Sequence, residues 1–163
     1  MADWITTLAL MGPSLAEGMA AVGGTIGIME EATTGIPVVA EDPGQRGRIF
    51  ILAFLPMTQT LVYGFVYMFL MYYMILPGIL AKHSGVLTPE IAGAVLGISL
   101  FVGLAEMFSA WMQGRVCGQT VAQLIKTKGG IFGTGLILAT YEELFGILGM
   151  VFGLTIAFLL TSW

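Results

Sequence analysis

The chain has 163 residues, 57% of them apolar, with six basic and ten acidic side chains and a formal net charge of −4. A soluble domain carries about a quarter charged residues; at 10% charged and a mean hydropathy of +0.93, this sequence has too little polar surface to solvate a globule and points to an integral membrane protein. The acidic balance, with no basic block, excludes nucleic acid as a partner, and the single cysteine, Cys117, excludes an internal disulfide or a Cys-x-x-Cys metal or redox site.

The first apolar tract runs over about 4–36 and is rich in small residues, among them Gly18, Gly23, Gly24 and Gly27, with Glu17, Glu30 and Glu31 interrupting it. Met1-Ala2-Asp3-Trp4 has no Lys or Arg to open a signal peptide, so the tract is expected to be retained. Pro37 and Pro43, with Glu41 and Asp42 between them, predict a loop that Arg46 and Arg48 close. The second tract, about 49–76, is uncharged and, at ~1.5 Å per residue, ample for a bilayer core of ~30 Å. Pro77-Gly78 and Lys82-His83-Ser84-Gly85 predict a connection over 77–88. Thr88 then reads as an N-cap, with Pro89 at the first helical position and Glu90 in the first turn. The third tract, about 89–125, has a polar end (Arg115, Gln119, Gln123) expected to reach water. Lys126-Thr127-Lys128-Gly129-Gly130 is the last turn, and the fourth tract spans 131–163.

The expectation is an all-α membrane protein of four transmembrane helices in two helical hairpins, 1–76 and 89–163. Spanning strands would need period-two alternation, which is absent. Arg46 and Arg48 fall in the first loop and Arg115, Lys126 and Lys128 at the third, so the positive-inside bias puts loops 1 and 3 in the cytoplasm and both termini, Trp163 included, outside. The hairpins read as a duplication: Gly23 and Gly27 align with Gly114 and Gly118, Gly47-Arg48-Ile49-Phe50 with Gly129-Gly130-Ile131-Phe132, and Tyr63-Gly64-Phe65-Val66 with Leu148-Gly149-Met150-Val151. Tyrosines and tryptophans are expected mostly at the lipid face or the interface.

An ionisable residue deep in a membrane helix is costly and marks function. Glu142 and Glu143 lie in the fourth tract, with no Lys, Arg or His in the second or fourth to pair with either. An unpaired carboxylate there would take up a proton or bind a cation. In Leu55-Pro56-Met57-Thr58-Gln59 of the second tract, Leu55, Thr58 and Gln59 share one helix face. Pro56 has no N–H, so the Leu52 carbonyl loses its donor, and the kink can turn out neighbouring carbonyls, Leu55's included. Gln113 sits in the third tract. A carboxylate, two carboxamide oxygens, a hydroxyl and a freed carbonyl make a hard-oxygen shell whose single charge suits a monovalent cation. A proton needs fewer acceptors, so the composition leans to Na⁺, with H⁺ as the competing ion. Singly, Thr58, Gln59 and Gln113 read as interhelical glue, worth under ~2 kcal/mol each.

These residues resemble the membrane-ring proteolipid, the K- or c-type ring protein, of V/A-type rotary ATPases. The likeness covers nearly all of the chain and is most specific in Leu55-Pro56-Met57-Thr58-Gln59 with Tyr63-Gly64-Phe65, in Gln113-Gly114-Arg115-Val116, and in Glu143 six residues before Gly149. It implies that Glu143 is the ion carrier. Likeness to the sodium-transporting members implies that the Leu55 backbone carbonyl, Thr58, Gln59 and Gln113 are Na⁺ ligands. Met57 takes the place of the first hairpin's missing carboxylate. The family tyrosine stands three residues after the glutamine; here that position is Val62, and Tyr63, at i+4 from Gln59, is placed to serve instead. Glu143 is preferred to Glu142 on the motif alone. The resemblance further implies a closed ring of identical copies in lipid, a stator a/I-type subunit whose arginine displaces the ion, and central-stalk subunits. Glu17, Glu30, Glu31 and Glu106 are then expected at helix ends, in hairpin packing or facing the ring interior. The chain has no Walker A motif, so it is no enzyme by itself; ATP hydrolysis or synthesis belongs to other subunits. The implied location is the plasma membrane of a bacterial or archaeal cell, multi-pass. A proton-carrying ring and a non-motor tetraspan structural or channel protein are the alternatives.

Overall fold

The computed structural model describes residues 4–162. Four helices, α1 (Trp4–Glu41), α2 (Pro43–Lys82), α3 (Pro89–Val121) and α4 (Phe132–Leu160), are each long and apolar enough to cross a membrane. No strand occurs among the described residues. The expected end of the last helix at Trp163, and the placement of that residue, lie outside them.

The first loop is shorter than expected, because α1 runs through Pro37 to Glu41. Proline withholds one N–H and crowds the carbonyl one turn back; with a single turn left to build, that does not end the helix. Asp42 ends it. Its backbone is extended, and its carboxylate accepts from the Gly44 N–H at 3.0 Å and from Gln45 Nε2 at 2.8 Å, starting the 3₁₀ turn Pro43–Gln45. The Gln45 side chain and the Gly44 amide, with Arg48 nearby, hold the Asp42 carboxyl below its ordinary range.

α2 is irregular. After a regular stretch, Arg46–Phe54, come a 3₁₀ turn at Leu55–Met57 and a π turn at Gln59–Gly64; a second π turn, Met71–Ile75, precedes the last α stretch, Leu76–Lys82. The expected connection at Pro77-Gly78 is therefore helical. Pro77 stands in the first turn of that last stretch, where the π turn before it has already opened the hydrogen-bond ladder. The connection from α3 to α4 is longer than expected, with Lys128 and Gly129 in the left-handed region at φ 51° and 83°. The Arg48 guanidinium covers Gly129, 2.6 Å from where a Cβ would stand, so the α1–α2 and α3–α4 turns meet at one end of the bundle. At the other end Lys82 Nζ donates to the Thr161 carbonyl at 3.4 Å.

α1 and α3 lie backbone to backbone. A Cβ at Gly23 would overlap the Met107 carbonyl, and one at Gly114 would overlap the Gly27 backbone. The two Gly-x-x-x-Gly pairs, aligned above as repeats, thus lie on opposite sides of one helix contact, Gly27 directly against Gly114, Gly23 against Met107 and Gly118 against Glu30; their small residues serve the close approach typical of membrane helices. Two apolar clusters fill the bundle. One contains Tyr67, Met71 and Ile79 of α2 with Val95 and Val102 of α3; the other contains Leu52, Cys117, Val121 and Ala139. Tyr67 is fully buried and bonded to Ser99 at 2.9 Å, an exception to the expected lipid-facing tyrosines. Between the clusters lies a buried polar layer of Gln59, Glu106, Ser109 and Gln113.

Gly114→Ala drives a methyl group into the α1 backbone, which cannot yield as a side chain can. Overpacking costs about 1–3 kcal/mol or more. The variant is expected to unfold several degrees lower in detergent, read by circular dichroism. Gly47→Ala, where a Cβ meets nothing within 4 Å, should leave the transition in place.

Candidate ion-binding site

The polar layer reaches the protein surface at Glu143, which is half-buried on α4. Its Oε1 accepts from the Thr58 hydroxyl at 2.8 Å and from the Tyr63 hydroxyl at 2.9 Å; Gln113 Nε2 lies 3.5 Å from Oε2. Three helices thus converge on one carboxylate. The neighbouring Glu142 makes no such contacts: only its backbone carbonyl is engaged, by Ser109 Oγ at 2.7 Å, and its side chain lines an apolar groove. The geometry separates two adjacent acids that the sequence left to the family motif.

Thr58 is the hub. Its hydroxyl stands 2.7 Å from the Leu55 carbonyl, 3.2 Å from Gln59 Oε1 and 2.8 Å from Glu143 Oε1. A hydroxyl has one proton to give, so three acceptors gather around a single donor. Leu55 presents its carbonyl because the 3₁₀ turn carrying Pro56 breaks the regular ladder there. The π turn that follows places one more residue in the turn than an α-helix would. That extra residue accounts for Tyr63: one position late in sequence, it still reaches Glu143.

Gln113 differs from the expectation. Its amide nitrogen, not its oxygen, faces Glu143, and donates also to the Ala139 carbonyl at 3.1 Å. Its oxygen accepts from Gln59 Nε2 at 3.2 Å, which fixes the orientation of the Gln59 amide. The assignment follows from the neighbours: reversed, the Gln113 oxygen would meet two other acceptors. Ser109 belongs to the same layer, accepting from Gln59 Nε2 at 3.0 Å, and has no part in the sequence reading. Its position four residues before Gln113, on the same helix face, is the signal that could have found it.

Of the other acids, Glu31 and Glu106 are fully buried and none of their four oxygens has a hydrogen-bond partner; Oε2 of Glu17 is buried in the same way. Glu31 and Glu106 lie in helix packing, as expected. Glu106 lies against Gly146, three residues beyond Glu143 on α4. No group of three or more His, Cys, Asp or Glu that could hold a metal forms among the described residues. The Glu143 cluster brings one carboxyl together with the Leu55 carbonyl, the Thr58 and Tyr63 hydroxyls and the Gln59 amide oxygen.

The profile of the ATP synthase C-subunit family matches the chain twice, over residues 11–71 and 96–156, one match in each hairpin. The A-type ATP synthase subunit K of Methanocaldococcus jannaschii is 29% identical over 152 residues, a stretch covering 93% of this chain and 64% of that protein. The chain therefore spans a little under two thirds of the relative's length.

The Glu143 geometry sets an expectation for carboxyl chemistry. Dicyclohexylcarbodiimide should modify the purified protein at one position, read by peptide mass spectrometry. Glu143→Gln should abolish labelling and Glu142→Gln should leave it; modification at Glu142 in the wild type would contradict the assignment.

Proposed function

Because the chain belongs to the ATP synthase C-subunit family, we propose that it is a proteolipid rotor subunit of an A-type rotary ATPase that carries Na⁺ at Glu143. Copies form a closed ring in the membrane, and ATP chemistry takes place in other subunits. The Na⁺ shell consists of Glu143, the Leu55 carbonyl, Thr58 and Gln59, with Tyr63 bonded to the carboxylate. Gln113 orients the Gln59 amide, and can turn its oxygen inward when a cation is present.

The observation that carries the reading is the crowding of acceptors around the Thr58 hydroxyl: the Leu55 carbonyl, Gln59 Oε1 and Glu143 Oε1, all within 3.2 Å. A proton on Glu143 needs one acceptor and leaves the other oxygens unexplained. A small hard cation uses all of them. With Na⁺ in place the carboxylate is neutralised, and the half-buried site can pass through lipid at lower cost. At the stator, an arginine of the a/I-type subunit displaces the ion. Offset access from the two sides then couples rotation, transmitted through central-stalk subunits, to transport. Turns 1 and 3, which meet at one end of the bundle, face the cytoplasm.

Thr58→Ala removes one neutral oxygen from the shell. Contacts to a charged group are worth about 1.5–3 kcal/mol, so ²²Na⁺ affinity of the purified ring at alkaline pH should fall about ten- to a hundredfold. Glu143→Gln should abolish binding. H⁺ is the competing ion at the same carboxyl. A wild-type ring that binds no Na⁺ in the millimolar range would make H⁺ the carried ion; a protein that forms no ring and binds no ion would favour the structural tetraspan.

Orientation has its own test. In a Cys117→Ser background, single cysteines at Gly47 and Thr127 should react with an impermeant maleimide only from the cytoplasmic side. Reaction from outside would reverse the topology.

A further inference from the structure

Gln59 serves a cation only if its carboxamide stands the right way round. The group ends in an oxygen and a nitrogen of nearly equal size, and only the oxygen accepts. With that oxygen 3.2 Å from the Thr58 hydroxyl, the nitrogen turns to α3. Reversed, the amide would turn N–H groups toward Thr58 and the carboxylate, a donor where a cation needs an acceptor. The site therefore depends on something that tells the two ends of Gln59 apart.

Two acceptors hold the nitrogen, Ser109 Oγ at 3.0 Å and Gln113 Oε1 at 3.2 Å. They are not equivalent. Gln113 is itself a reversible carboxamide, and turning its oxygen to a cation withdraws the acceptor it gives to Gln59. Ser109 has no such freedom. It is 3% exposed, and its one proton is committed to the Glu142 carbonyl of α4 at 2.7 Å. What its oxygen has left for Gln59 is lone pairs, which accept from the amide nitrogen and offer the amide oxygen nothing. Close helix packing keeps the hydroxyl there. A Cβ at Gly146 would stand 3.0 Å from Ser109 Oγ, so α4 presents bare backbone to it.

We propose that Ser109 is a positioning residue of the ion site, a fixed acceptor that keeps the Gln59 oxygen turned toward the cation. Its hydrogen bonds go to Gln59 and to the Glu142 backbone, not to the Glu143 side chain. It therefore acts on the ion through Gln59. The bond to the Glu142 carbonyl adds a second effect. It ties α3 to α4 one residue before the carrier, so the group that orients the neutral ligand is held to the backbone that brings the carboxyl. When Gln113 turns its oxygen inward, Ser109 is the acceptor that stays, and Gln59 keeps its orientation while the ion is bound.

The inference rests on the Na⁺ reading of the site. Its test is the protection by Na⁺ of Glu143 from dicyclohexylcarbodiimide in the purified, assembled protein. Ser109→Ala, Gln59→Ala and the double variant are compared with wild type. Ser109→Ala should raise the Na⁺ concentration for half-protection about five- to tenfold, the measure of one hydrogen bond between neutral groups. Ser109→Cys, which nearly keeps the volume but offers a poor acceptor, should follow it. Gln59→Ala removes the ligand itself and should raise the concentration at least as far. Adding Ser109→Ala to Gln59→Ala should then change nothing further, because the residue through which Ser109 acts is gone; a merely structural role would give losses that add. Additive losses, or serine variants protected at the wild-type Na⁺ concentration, overturn the positioning role and leave the Na⁺ reading standing. A wild-type protein whose Glu143 reacts equally at every Na⁺ concentration overturns both.

Discussion

A carboxylate in hydrocarbon must find its hydrogen bonds within the protein, because the solvent offers none. Glu143 meets that constraint by drawing on α2 and α3 at once, and α2 is shaped around it. Thr58 and Tyr63 have to reach the same oxygen of Glu143. In a straight α-helix, positions five apart point in widely different directions. The π turn at Gln59–Gly64 changes that phase, and the 3₁₀ turn before it presents the Leu55 carbonyl. Departures from regular helix cost backbone hydrogen bonds, and they are tolerated where they serve a site. The irregularity of α2 and the regularity of α4 are two halves of one arrangement: the helix that brings the charge is straight, and the helix that brings the neutral oxygens is bent to it.

The glycine contact between α1 and α3 serves the same end. Gln113 must hold Gln59 and approach Glu143 together, at 3.2 and 3.5 Å. Gln113 sits beside Gly114, which is pressed against the Gly27 backbone. Gly27 in turn has no room for a side chain against Pro56, whose ring would lie 2.7 Å from a Cβ there. α3, α1 and the proline turn of α2 are therefore stacked without intervening side chains, and that stack places Gln113 within reach of the polar layer. Large residues at these positions would separate the helices and spread the site apart.

How much of this is legible in the sequence depends on which property carries the signal. The four spans follow from hydropathy, and the site follows from polar residues standing in apolar tracts: Thr58, Gln59, Tyr63, Gln113 and Glu143 are brought together as expected. Ser109 escapes notice because one serine in a small-residue helix has no compositional contrast. Pro37 and Pro77 read wrongly as loops because proline reports a missing N–H, not whether the surrounding helix can spare it. The duplication is visible, but its register in α1 and α3 is not. Gly23, Gly27, Gly114 and Gly118 resemble one another because they are the two sides of one contact, and residues selected to touch look alike just as residues descended from a common copy do. The orientation of the Gln113 amide depends on what its neighbours donate and accept, which no spacing encodes.

The two hairpins have divided the work that a symmetric pair would have shared. α4 keeps a carboxylate at 143, while α2 carries Leu55, Thr58, Gln59 and Tyr63 around it and no acid of its own. A second carboxylate on α2 at this level would face the first across a site with no basic residue nearby, and two like charges would have to share a proton or a cation. With neutral groups on α2, the cluster around Glu143 holds a single carboxyl for four helices. The buried acids Glu31 and Glu106 lie outside that cluster. None of their four oxygens has a hydrogen-bond partner among the described residues, an arrangement whose cost rises steeply for a charged group. The acids thus differ in placement: Glu31 and Glu106 are sealed among helices, whereas Glu143 is half-buried and bonded to Thr58 and Tyr63 of α2.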